Sequence, residues 1–221
     1  MKFVTCLVFL LIASLGFSQT VPPSKDFITL KADTFDLIVD AKHQAEGEFY
    51  LNKLLQASEF TKNYFSMIPG KTVVIINDRT DLTNGYATKI PYSHIMLFPV
   101  LPGPMEGLGE PGDWALEFLT HEYTHVLNFE PATGAFRYLR PVFGSIMSPN
   151  LLLPIWWKEG LAVELETAVA NGGRIRSSYQ EGMIRSWLLD DTFYDFNLAT
   201  ANEALPTWPQ GQRPYIFGSL F

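Results

Sequence analysis

The pentapeptide His121-Glu122-Tyr123-Thr124-His125 constrains this chain more than any other stretch, because two histidines four apart lie on one face of a helix. Both imidazoles can then reach a single metal ion, with Glu122 beside the ion rather than on it. From there a carboxylate can take a proton from a water whose pKa a zinc ion has lowered to about 7. Random placement of residues gives such a motif in roughly 0.4% of chains of this composition. The remaining alternative is a surface helix with two solvated histidines.

The flanks favour a helix with a buried side. Asp113 follows the breaker run Gly109-Glu110-Pro111-Gly112 as an N-cap, and Pro131 closes the pattern, which predicts a helix over 114–130. Leu116, Leu119, Thr120, Tyr123, Val126 and Leu127 recur around the motif at helical spacing. Asn128 reads equally as an orienter of a ligand and as an ordinary polar residue near a helix end.

A catalytic zinc site takes three protein groups and leaves a position for water. A third histidine just after a glycine turn is excluded, since Asn128 and Pro131 stand where Gly and His would be needed. His43 and His94 lie upstream without a comparable motif and read as ordinary polar residues. The better candidate lies downstream, where Pro154 and Asn171-Gly172-Gly173 frame a second helix. Within it Glu159 is flanked by tryptophans and by Gly160 and Ala162, small residues expected to let this helix approach the first. Glu164 and Glu166 read as a charged outer face, although Glu159, Ala162 and Glu166 share one side.

His121-Glu-Tyr-Thr-His125 followed by Trp157-Lys-Glu159-Gly-Leu-Ala resembles the gluzincin zinc metallopeptidases, the group containing thermolysin and the aminopeptidase-N-like enzymes. The closer likeness is to the aminopeptidase-N-like branch and its secreted bacterial, peptidase-MA-like relatives. This resemblance implies an α+β, zincin-like catalytic domain, with a small mixed β-sheet followed by a zinc-binding helix and a glutamate-ligand helix. It implies Zn2+ held by His121, His125 and Glu159, Glu122 as the catalytic base, and a peptide or protein substrate. Tyr215-Ile-Phe-Gly218 resembles the Tyr-x-x-Gly element of that branch, whose tyrosine hydroxyl stabilises an oxyanion; a buried aromatic is the other reading of Tyr215.

The chain departs from that pattern in two places. The interval from His125 to Glu159 is longer than the roughly twenty residues that separate these ligands in familiar members. The extra sequence, 136–153, is rich in Pro, Gly and large apolar residues, and is expected to form an inserted lobe that shapes access to the cleft or packs on the core. Gly103-Pro-Met-Glu-Gly107 lacks the asparagine of the sequence that binds a free amino group in exopeptidase members, and its prolines make it a loop. An exopeptidase specificity is therefore not implied.

Strands are expected at Phe35–Val39 and Thr72–Asn77, with one or two more over Tyr86–Ile90 and Ser93–Phe98, and helices at about 42–67 and Ser178–Leu189. The strand just before the zinc helix is expected to pair with extended peptide through main-chain hydrogen bonds. Met1 and Lys2 precede an apolar run, Phe3 to Phe17, that is short for a membrane span and ends in small residues. It reads as a signal peptide over 1–18, with a retained anchor as the other reading, and the catalytic domain then covers 19–221. The sole cysteine, Cys6, lies in that run, so the mature chain has no disulfide.

A secreted or periplasmic enzyme with no stable membrane span after cleavage is expected. Because the chain ends just after the Tyr-x-x-Gly element, an additional C-terminal domain absent from it is expected too. A formal net charge of -7 without a basic run argues against nucleic acid. Two other classes use the same residues: a zinc hydrolase of a non-peptide substrate, and a noncatalytic binding module retaining the fold. The joint presence of ligands and base speaks against the second.

Overall fold

A computed structural model describes residues 26–66, 69–103, 112–170, 172–190 and 212–220. The expected signal peptide and Pro104 to Gly107 lie outside these residues. The chain folds as a mixed α/β structure around a five-stranded sheet. Strands β1 (Phe27–Lys31) and β2 (Phe35–Asp40) form an antiparallel pair, and β2 lies parallel to β3 (Thr72–Ile76). β3 is in turn parallel to β5 (His94–Phe98), which pairs antiparallel with β4 (Asn84–Thr88). The order across the sheet is thus β1-β2-β3-β5-β4.

Alternation in the central strands produces the buried face. Phe35, Leu37 and Val39 of β2, Val74 and Ile76 of β3, and Ile95 and Leu97 of β5 enter one core. Tyr50 and Leu54 of helix α1 (Gln44–Thr61) join it, as do Leu119, Tyr123, Val126 and Leu127 of α2 (Trp114–Asn128). α1 is shorter than the expected 42–67, because Ala41–His43 is a separate 3-10 turn and the chain leaves the helix at Lys62. The strand β1 has no counterpart in the sequence reading. It is a short edge strand whose Ile28 and Leu30 lie half-buried against the core while Phe27, Thr29 and Lys31 are exposed.

The sheet order overturns the expectation about peptide pairing. β5, the strand just before α2, is enclosed between β3 and β4, so both of its edges are taken. The open edge on that side of the sheet belongs to β4, and the opposite edge to β1. Gly85 of β4 packs so closely on Phe118 of α2 that a side chain there would collide with the ring.

After α2 come a short helix α3 (Ala135–Phe143) and two 3-10 turns, Gly144–Ile146 and Pro149–Leu152. No residue of α3 is buried, so of the two readings of 136–153 this helix does not follow the one that packs on the core, although Ser148 beyond it is buried. The chain continues into α4 (Ile155–Val169), α5 (Ser178–Leu189) and the short α6 (Arg213–Gly218). Met183, Trp187, Ile216 and Phe217 form a second, smaller core, with Trp156 of α4 against it.

Candidate metal centre

Asp113 caps α2 as the sequence predicts, its side chain accepting a 3.2 Å hydrogen bond from the Leu116 amide. The helix ends at Asn128, two residues earlier than expected. Lys89 closes the far end by donating from its buried ammonium to the Phe129 carbonyl at 2.9 Å. Pinned at both ends and buried along most of its length, α2 holds His121, Glu122 and His125 inside the protein.

α4 brings Glu159 to the two histidines. Its Oε2 lies 3.3 Å from the Nε2 of both His121 and His125, and the two Nε2 atoms are 3.2 Å apart. One ligand atom from each residue falls within 4.8 Å of the other two, so these three side chains could hold one metal ion. Burial opposes a charge on Glu159, yet the two imidazoles outweigh it and keep the carboxyl well below the usual carboxylate range. Burial likewise opposes a charge on His121, but hydrogen bonds to Glu159 and Glu166 prevail and raise its pKa to about 9. Two imidazoles converging on an ionised carboxylate are a donor set that suits a divalent cation.

Glu122 is buried beside this group without belonging to it. Burial raises its pKa above the ordinary 4.5, against the pull of His121 and His125. That moves a carboxylate toward the range in which it can take up and release a proton near neutrality.

Glu166 corrects the sequence reading. Glu164 is exposed, as an outer face requires, but Glu166 is buried and its Oε2 lies 2.7 Å from His121 Nδ1. A carboxylate there fixes Nδ1 as the protonated nitrogen and leaves Nε2 free for a ligand. Glu166 also accepts a 3.2 Å hydrogen bond from the Arg174 amide and lies 3.5 Å from the Arg174 side chain. Arg174 and His121 hold its carboxyl below the ordinary value, although burial pushes the other way.

Arg174 was not singled out by its sequence context. It is brought to Glu166 by a turn in which Gly173 adopts φ +90°, a left-handed value that favours glycine, packed against Thr167.

Tyr215 also reaches the site. Its ring centroid is 6.0 Å from that of His121, and the Arg174 guanidinium carbon lies 4.6 Å from the centre of its ring. Burial and the nearby Glu159 carboxylate push the phenol pKa up, so its hydroxyl stays protonated and able to donate.

The expectation about Gly160 needs revision. It faces α6 rather than α2, and a side chain on Gly160 would strike the Gly218 backbone, while one on Gly218 would strike the Trp156 carbonyl and Gly160. The glycine after Glu159 and the glycine of Tyr-x-x-Gly are therefore two halves of one contact, which brings Tyr215 to the histidines.

Three other polar residues stay outside the centre. Asn128 accepts hydrogen bonds at its backbone oxygen and Oδ1 from Asn150, so it fastens the following turn rather than orienting a ligand. His43 pairs with Glu46 and Asp78, and His94 with the Tyr92 carbonyl. In comparisons with protein families, curated proteins and solved structures, nothing matches this chain.

Proposed function

We propose that this chain is a zinc-dependent metallopeptidase of the gluzincin type, hydrolysing peptide bonds with Glu122 as general base. The observation that carries the reading is the convergence of His121, His125 and Glu159 from two helices, with buried Glu122 next to them. Two histidines and one carboxylate suit Zn2+, which, when bound, polarises a scissile carbonyl and acidifies a water beside it. Glu122 takes the proton of that water and returns it to the departing amine. Tyr215 donates its phenolic hydrogen to the oxygen that gains charge at the reacting carbon. Glu166 keeps His121 in the tautomer that presents Nε2, and Arg174 keeps Glu166 ionised.

The open edge of β4, next to α2, supplies main-chain donors and acceptors for an extended peptide. An exported enzyme is the reading supported by the apolar run Phe3 to Phe17.

The test pairs metal analysis with cleavage of a mixed peptide library. The parent chain is expected to bind one zinc and cleave peptides, while Glu122→Gln binds zinc equally and loses about 10²- to 10⁴-fold in rate. Zinc binding without peptide cleavage would transfer the centre to another substrate. Failure to bind zinc under metal-replete conditions would sink the reading altogether.

A further inference from the structure

Helix α3 is built inside out. Its one anchored polar side chain, Arg140, points into the protein, donating to the carbonyls of Glu130 at 2.7 Å and Met147 at 3.3 Å and to Ser148 Oγ at 2.9 Å. Tyr138, Leu139, Val142, Phe143 and Ile146 recur at helical spacing and stay exposed, Tyr138 at 79% and Val142 at 75%. An isolated exposed leucine needs no explanation, but five large apolar side chains in one helix and its following turn do.

The charge of the same stretch is a second, independent observation. The chain carries 23 acidic and 16 basic residues, yet residues 131–157 contain no aspartate or glutamate. Arg137 stands exposed on α3 among the apolar residues. An apolar segment without acidic residues of its own and with an exposed cation, on an otherwise acidic protein, matches one partner in particular: a bilayer with negatively charged headgroups. A helix of nine residues is about 13 Å long and cannot cross a bilayer. It can lie in the headgroup layer.

We propose that α3 and the turn after it form a membrane-docking face, which lays Tyr138, Leu139, Val142, Phe143 and Ile146 into the headgroup boundary of a bilayer containing anionic phospholipid. This connection joins the two helices that carry the metal-centre residues, so docking holds that centre at the lipid surface. The inference does not depend on zinc or on peptide cleavage.

The test uses the full chain with phosphatidylcholine vesicles, with and without phosphatidylglycerol. Sedimentation with phosphatidylglycerol vesicles is expected to fall at least about tenfold for the double variant Val142→Glu, Phe143→Glu. Arg137→Ala is expected to lower it about fivefold, and only when phosphatidylglycerol is present. The apolar run Phe3 to Phe17 is common to all three chains, and a second measurement isolates the face from it. In a Cys6→Ser background, a fluorophore on Val142→Cys should shift to the blue with vesicles and be quenched by brominated acyl chains. A label that is not quenched overturns the proposal. So does a double variant whose only change is loss of self-association in sedimentation velocity, which would assign the face to a second copy of the chain.

Discussion

At the scale of single residues, the centre is a chain of proton-sharing contacts running from Glu159 through His121 and Glu166 to Arg174. Glu166→Ala should therefore lower zinc affinity by about 10- to 100-fold in a competition titration. It should also cost about 3 kcal/mol in denaturant unfolding, because Arg174 is left largely buried without this counter-charge. Glu164→Ala, on the exposed side of the same helix, should change stability by less than about 0.5 kcal/mol.

The proton on His121 gives a pH signature. Its pKa rises from 6.5 to about 9 on folding, so the protonated ring stabilises chelator-treated protein fully below pH 6.5, and that contribution is lost as pH climbs to about 9. Zinc competes with the same proton, so its affinity should rise through this window. Thermal unfolding across the window should show opposite trends with chelator and with saturating zinc.

The His121, Glu122, His125 pattern was legible in the sequence because helical geometry alone sets the spacing. Glu166 was not, since α4 buries Gly160, Ala162, Val163, Leu165, Glu166 and Thr167 and so has no single apolar stripe to mark its inner side.

Among the elements, the contact between α4 and α6 places Tyr215. An alanine at Gly218 would push α6 away from α4, with an overpacking cost of about 1–3 kcal/mol. Gly218→Ala should lower the melting temperature and reduce kcat together, whereas Gly182→Ala, in an open position of α5, should stabilise by up to about 1 kcal/mol. The two comparisons separate a collision from a general intolerance of helix glycines. Four of the five strands were legible from their alternating or continuous apolar runs. Their order was not, because β5 rather than β4 pairs in parallel with β3, a contact between distant segments that leaves β4 on the outside of its own hairpin. Similarly, the apolar residues in 136–153 left access to the cleft and packing on the core both open, and α3 turns Arg140 inward while its apolar residues stay exposed.

On the scale of the whole molecule, most of the buried apolar residues among those described fall into two cores. α2 belongs to the one under the sheet, while α4 reaches the smaller one through Trp156. A cation held by His121, His125 and Glu159 would tie them together. Zinc at about 1,000 times its Kd should add about 4 kcal/mol to unfolding, and a chelator should remove it, as read from denaturant midpoints. Hydrogen exchange in α4 and α6 should quicken more than in the sheet when the metal is withdrawn. The tie also has a consequence in the cell. On the proposed reading, a zinc-starved chain loses its fastening before its sheet and becomes prey to neighbouring proteases, so the amount of protein that survives becomes a gauge of the zinc supply around it.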